Sequence, residues 1–317
     1  MEKDMEYVYA IYQEGSVSKA AEKLFITQPA LSMALRRVEA KFGEALFDRS
    51  QTPFSLTHAG KIYIQKCQEI LLLNQEMSRQ IYDLHNLQKG SLTIGGTHFI
   101  LSYVLAPALS IFSQRYPNIT LKIIECGSDA SERLLLDGTI DMYLRCSACP
   151  SNIQRIAPAF TDHVLVAVPK PYVEQYALPQ GGISLSMIQA DKHLSDDYQS
   201  TDFRKLSHIP FLQLSDGNNL GGRLRDLFIT HKQVPNIKMV VEQLTTSYYL
   251  ADSGIGATLS STMMIKKSMS ENLIFYKVDS PLLMRQFYFV GRKRGYISKA
   301  SHALIETLQT HYGMMNK

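Results

Sequence analysis

Gln28, Ser32 and Arg36 recur at steps of four, with Met33 and Arg37 beside them. On a helix that spacing sets an amide, a hydroxyl and guanidinium groups on one surface. Such side chains reach base edges in a DNA major groove, while hydroxyls, cations and free N–H groups at a helix start hold phosphates. Further along, Gly95-Gly96-Thr97-His98, Cys126-Gly127-Ser128 and Arg145-Cys146-Ser147 each come after a run suited to a strand. Glycine lets a ligand approach the backbone, Thr97 and Ser128 can donate hydrogen bonds, and His98 and Arg145 are able to meet an anionic group. The same residues also suit ordinary turns, and spacing does not separate the two. Cys146 and Cys149 form a CxxC, with Cys126 ending a neighbouring strand region. Close thiols could act as a redox switch or hold a soft metal; a lone CxxC without a second pair equally suits small residues lining a loop.

The elements that must position these groups are set by periodicity. Met5, Val8, Ile11 and Tyr12 recur at helical spacing, and Gly15-Ser16 interrupts them with a turn residue and a hydroxyl able to cap a second helix. That short helix is expected from near Ser18 to Leu24, its Ala20-Ala21 pair admitting another helix backbone. Thr27 is a natural N-cap, and Pro29 suits a first turn that tolerates a missing N–H. Leu31, Leu35, Val38 and Phe42 then form one apolar stripe with steps of four, three and four. A short helix, a tight turn and a capped helix with polar groups outside is the construction of a helix-turn-helix. A plain three-helix core with a solvated face fits the same pattern. Charge does not choose between them, since residues 1–66 hold nine Lys/Arg against eight Asp/Glu.

Thr57 can cap a helix that runs without proline to about Gln88, some 46 Å at about 1.5 Å per residue. Tyr63, Cys67, Ile70, Leu73, Met77, Ile81, Leu84 and Leu87 recur at steps of three or four, a seam suited to a second copy of the chain. Cys67 reads as a small apolar filler on that seam. Beyond Lys89-Gly90, strands at Ser91–Gly95, Ile119–Glu125 and Ile140–Arg145 alternate with helices at Phe99–Arg115 and Ser131–Asp137. That alternation predicts parallel βαβ units, which bind ligands beyond the carboxyl ends of their strands. Later strands are expected at His163–Val168, Leu273–Val278 and Gln286–Gly291, with a closing helix from Ala300 to Tyr312.

The ordered set Gly15-Ser16-Val17-Ser18-Lys19-Ala20-Ala21-Glu22-Lys23-Leu24, Thr27-Gln28-Pro29-Ala30-Leu31-Ser32, Phe42-Gly43-Glu44-Ala45-Leu46-Phe47-Asp48-Arg49 and Leu56-Thr57-His58-Ala59-Gly60 resembles the winged helix-turn-helix of LysR-type transcriptional regulators. The resemblance implies that Gln28, Ser32 and Arg36 lie on the recognition surface, with Pro29 and Arg37 beside them. It puts Ser18 and Thr27 near the DNA backbone, and Arg49 in the wing. Met33 and Thr52 depart from the family pattern, where polar or basic groups are common. Tyr116-Pro117-Asn118-Ile119, Leu136-Asp137-Gly138-Thr139-Ile140-Asp141 and Ala251-Asp252-Ser253-Gly254-Ile255-Gly256 resemble the family's effector domain, a two-lobed fold similar to periplasmic solute receptors.

The expected architecture is therefore an α/β multidomain chain. It comprises a winged helix-turn-helix at 1–60, a linker and dimerisation helix at 61–88, and a two-lobed effector domain at 89–317. Lobe I would hold 89–161 and 267–317, and lobe II 162–266. The effector site would combine Thr97, His98, Gly127, Ser128 and Arg145 with Ser215 and Asp216 of the facing loop and Thr245 and Thr246 at a helix start. The implied partners are double-stranded operator DNA, a small effector suited to carrying a carboxylate, a second copy of the chain in a dimer or tetramer, and RNA polymerase.

The 317 residues suit about two domains, and 45% hydrophobic with 20% charged residues is an ordinary globular balance. A net charge of +4 does not by itself single out nucleic acid. Four cysteines in a chain this long suit a reducing compartment, and the acidic start Met1-Glu2-Lys3-Asp4 does not read as a secretory signal. No apolar run approaches membrane-span length, so a cytoplasmic protein without a membrane partner is expected. Phosphate-loop GxxxxGK[ST], HExxH and GxSxG runs are missing, and the nine histidines show no ligand spacing. No cofactor, metal or catalytic set is expected; an enzyme or a solute receptor built on the α/β part would leave the N-terminal motif without a role.

Overall fold

The computed structural model describes residues 2–48, 50, 54–195, 198–269 and 271–313. They fall into two compact units, residues 1–81 and 82–317. The first unit opens with α1 (Glu2–Glu14), α2 (Val17–Lys23) and α3 (Gln28–Phe42). Ser16 caps α2 by accepting from the Lys19 N–H, and the buried Ala20 and Ala21 supply its packing face. Thr27 caps α3 through the Ala30 N–H, and α3 ends on Gly43 at φ +68°, a left-handed conformation natural to glycine. Val8, Ile11, Leu31, Leu35 and Val38 close the core of this unit. Phe42, expected on the apolar stripe, is instead 55% exposed, in edge contact with Tyr63 and with the Lys41 ammonium over its ring, because the stripe drifts off the core face in the last turn.

A two-stranded wing, β1 (Phe47–Asp48) and β2 (Ser55–Leu56), pairs antiparallel with Phe47 opposite Leu56. Thr57 then accepts from the Gly60 N–H and donates to the Ala45 carbonyl, so one hydroxyl starts α4 (His58–Asp83) and ties it to the wing. The helix stops at Asp83, short of the expected Gln88, where Asn86 and Leu87 take positive φ. The predicted seam also divides. Cys67 is buried and Tyr63 half-buried within the first unit, with the Cys67 thiol against the Met5 carbonyl. Ile70, Leu73, Met77 and Ile81 remain exposed.

In the second unit β3 (Gly90–Gly96) pairs in parallel with β4 (Ile119–Glu125). The expected single helix after β3 has two parts: a wider π turn at Ile100–Leu105 and then α5 (Ala106–Arg115), which carries Pro107 in its first turn. Next come α6 (Ser128–Leu136), β5 (Tyr143–Arg145) and β6 (Ile153–Pro169). A bridge from Ile94 to Met142 links β3 towards β5. Strand β6 is far longer than the expected His163–Val168. Its first half lies against β11 (Met284–Arg292), which also pairs with β5.

The second half of β6 builds the other lobe. After α7 (Lys170–Gln175) and α8 (Leu185–Gln189) come β7 (Phe211–Leu214), α9 (Asn219–Thr230), β8 (Ile237–Val241) and α10 (Leu244–Asp252). The chain continues through β9 (Thr258–Ser261), α11 (Thr262–Ile265), β10 (Leu273–Tyr276), and, after β11, α12 (Lys299–His311). β9 and β10 both pair with Val164–Pro169 of β6, and β7 pairs in parallel with β8. This register corrects one expected boundary. Leu273–Tyr276 belongs to the lobe II sheet, so the return to lobe I falls between Val278 and Met284 rather than at 267.

Candidate nucleic-acid interface and ligand cleft

The outer surface of α3 is built by its cap and its stripe. With Leu31, Ala34, Leu35 and Val38 buried, the other side presents Gln28, Pro29, Met33, Arg36 and Arg37 to solvent, and Ser32 lies half-buried between them. Met33 is 69% exposed, an apolar group among donors. Thr27 spends its hydroxyl on the Ala30 N–H at 3.4 Å. Ser18 is exposed on α2 beside the Ser16 cap. Arg37 is paired with Asp4 of α1, so much of its charge is already answered within the unit. Arg49 and Thr52 lie outside the described residues.

In the second unit, the ends of β3, β4 and β5 open on a cleft between the lobes. A cavity of about 220 Å³ takes Thr97, Ser128, Arg145 and Asp216 into its lining, with Phe99, Phe287 and Arg285. A second cavity of about 360 Å³, sharing Thr97 and Asn218, is lined by His98, Gly127 and Ser215 together with Glu125 and Glu242. Seven of the nine expected effector residues thus line one cavity or the other. Thr245 and Thr246 line neither; α10 starts at Leu244, and it is Gln243 and Leu244 that face the space. The start of α6 at Gly127 has no side-chain cap, leaving first-turn N–H groups free for a ligand.

The charges of the cleft are mostly paired. Arg145 donates to Glu132 at 2.9 Å and to the Tyr143 hydroxyl at 3.0 Å, while its buried Nε has no hydrogen-bond partner. His98 faces Glu125 at 3.4 Å, and Asp216 is paired with Arg225. Arg285, only 4% exposed, donates through Nε and Nη2 to the fully buried Asp162 at 2.9 and 2.5 Å and lies over the rings of Phe99 and Phe287. Burial lowers the pKa of the nearby Arg223 guanidinium.

The helix-turn-helix model of the bacterial regulatory lysR family matches residues 3–61, and the LysR substrate binding domain model matches residues 85–313. The chain belongs to the LysR family. It is a DNA-binding transcriptional regulator with an effector-binding domain. An uncharacterized HTH-type transcriptional regulator, YcgK of Bacillus subtilis, is 27% identical over 96% of this chain and 92% of its own length. A probable RuBisCO transcriptional regulator of Cyanidioschyzon merolae is also 27% identical, over 94% of each chain. Among solved structures, full-length CbnR complexed with its target DNA superposes at TM-score 0.62 with 17% identity, covering 98% of this chain and 99% of that one. Full-length OxyR from Pseudomonas aeruginosa superposes at TM-score 0.68 with 17% identity, covering 98% and 97%.

Within this LysR-family chain the thiol alternative gains no support from geometry. Cys146 packs on the main core of the second unit, whereas Cys149 packs on a separate cluster around Leu135, Ile140 and Tyr143. Cys126 sits 3.1 Å from the Ser131 hydroxyl. All four cysteines are free, and among the described residues no group of three metal-ligating side chains occurs. Among the described residues no helix is long and apolar enough to cross a membrane. The cleft residues that sequence reasoning missed are Arg285, Phe99 and Phe287. Arg285 stands beside Gln286 at the start of a strand whose next residues, Phe287 to Val290, are apolar or aromatic, and a cation leading such a run is a signal that could have marked it.

Proposed function

We propose that the exposed side of α3 enters the major groove of operator DNA, with Gln28, Ser32 and Arg36 meeting base edges and Ser18, Thr27, Pro29 and Arg49 close to the backbone. The observation that carries this reading is the capped helix whose apolar side is buried in its own unit while amide, hydroxyl and guanidinium groups stay outside. Arg37 serves chiefly to fix α3 on α1 through Asp4. Ile70, Leu73, Met77 and Ile81, left exposed along α4, support pairing of two chains into a dimer and of dimers into a tetramer, which favours a partly palindromic site. A protein that meets promoter DNA and RNA polymerase works in the cytoplasm, and no residue is assigned a catalytic role.

The cleft takes a small effector with a carboxylate. Thr97, Ser128, the free N–H groups of α6 and the unpartnered Nε of Arg145 support that chemistry, with Phe99 and Phe287 against the apolar part. An effector that prefers one lobe arrangement shifts the population of that arrangement, and with it the placement of the paired readers. The test is selection of duplexes from a random pool by the purified chain, followed by titration at rising salt. The expected product is a two-fold related sequence whose affinity falls as salt rises, with a slope kept shallow by the few free cations of α3; recovery of no common sequence would remove the proposal.

A further inference from the structure

A separate cavity of about 400 Å³ lies where the two connections between the lobes run. β6 contributes His163, the last residue it pairs with β11, opposite Met284, and the return segment contributes Lys277, Asp279 and Ser280; His193 and Ser200 complete the polar lining. The imidazoles of His163 and His193 stand edge to face with centroids 6.3 Å apart. His193 is 3% exposed, and its buried Nδ1 has no hydrogen-bond partner. Among the described residues the Lys277 ammonium and the His163 ring make no hydrogen bond or ion pair. Among the described residues three basic side chains and two hydroxyls therefore share one space with a single carboxylate. A neutral imidazole offers one donor, a protonated one two, and an ammonium three, an inventory matched to an oxyanion.

We propose that this cavity is a second ligand site, one that takes a small oxyanion, a carboxylate or a phosphate, held by Lys277 and the imidazoles of His163 and His193. The charged groups facing the imidazoles agree with this. Asp162 and Asp191 are committed to Arg285 and Lys266, which among the described residues of the lining leaves Lys277 and the two rings against Asp279. Burial, with Lys266 and Lys277 close by, keeps both imidazoles below their ordinary pKa, His193 at about 4. A bound anion opposes that effect, so binding takes up a proton. An occupant touches both connections between the lobes, and one that fits a single lobe arrangement better shifts the equilibrium towards it.

Calorimetric titration of the full-length protein with inorganic phosphate, and separately with succinate, against chloride at matched ionic strength tests the site. At about pH 6.5 one of the two anions is expected to bind saturably and to identify the source chemistry. Lys277→Gln, with melting checked against the parent, should weaken that binding about tenfold or more, the loss of one charge-assisted contact. Ser128→Ala in the interlobe cleft should leave it intact. In proton NMR the His163 and His193 resonances should titrate at higher pH when the anion is present. Absence of saturable heat with unmoved histidine resonances would overturn the site. Binding that survives Lys277→Gln but is lost in Ser128→Ala would instead put the anion in the cleft.

Discussion

Asp162 and Arg285 show what single residues do here and how little of it their neighbours in sequence announce. The pair is almost fully buried, and Asp162 also accepts from the Ser261 hydroxyl at 2.5 Å. Removing one partner leaves the other charge buried alone, which costs about 3–5 kcal/mol. Arg285→Ala should therefore lower the urea midpoint by a corresponding amount, and a variant as stable as the parent would show that water already reaches the pair. His193 gives a prediction with a defined sign. Its pKa of about 4 lies below the ordinary 6.5, so between those values the unfolded chain binds more protons than the folded one. This contribution to stability is complete above about pH 6.5 and fades as pH falls towards about 4. His193→Gln should flatten the slope of unfolding free energy across that window, and parallel slopes would contradict it. At this scale the sequence singled out Gln28 and Ser32 by their spacing on a helix and Thr97 and Ser128 by their place after strand-suited runs. It could not show that Arg145 would be claimed by Glu132 or His98 by Glu125, because those partners are set by folding.

Elements were the more legible level, since caps and periodicity are local. Thr27 and Thr57 both act as the caps their positions suggest, and the βαβ alternation after Gly90 holds. What failed is tertiary. The long β6 is irregular in hydrophobic pattern because it serves two sheets, and the π turn at Ile100–Leu105 has the same composition as an ordinary helix. The α4 seam divides because α1 covers its first half, which no single-helix pattern reveals. Packing around the start of α4 yields a sharp prediction. A Cβ on Gly60 would stand 1.9 Å from the Leu46 carbonyl oxygen, so the wing rests directly on the helix backbone. Gly60→Ala should destabilise the first unit by about 1–3 kcal/mol through overpacking, read as earlier thermal unfolding; an unchanged melt would mean the wing moves aside freely.

Across the whole molecule, the family and the two-lobed plan were readable from ordered motifs, whereas the return boundary near Val278 required strand register. Self-association is the property the exposed half of α4 implies. Leu73, 64% exposed, and Met77 lie on that stripe. Leu73→Glu with Met77→Glu should shift sedimentation from the assembled species to monomer without loss of helix content, while unaltered sedimentation would move the interface elsewhere. The claim on which the rest depends is that α3 reads sequence. Fluorescence anisotropy of the full-length chain on its selected duplex and on a scrambled one, for the parent, Gln28→Ala and Ser32→Ala, tests it most directly. The expected result is a loss of about 1–3 kcal/mol on the selected duplex for each variant, with binding to the scrambled duplex nearly unchanged. Equal losses on both duplexes, or a parent that does not distinguish them, would contradict it.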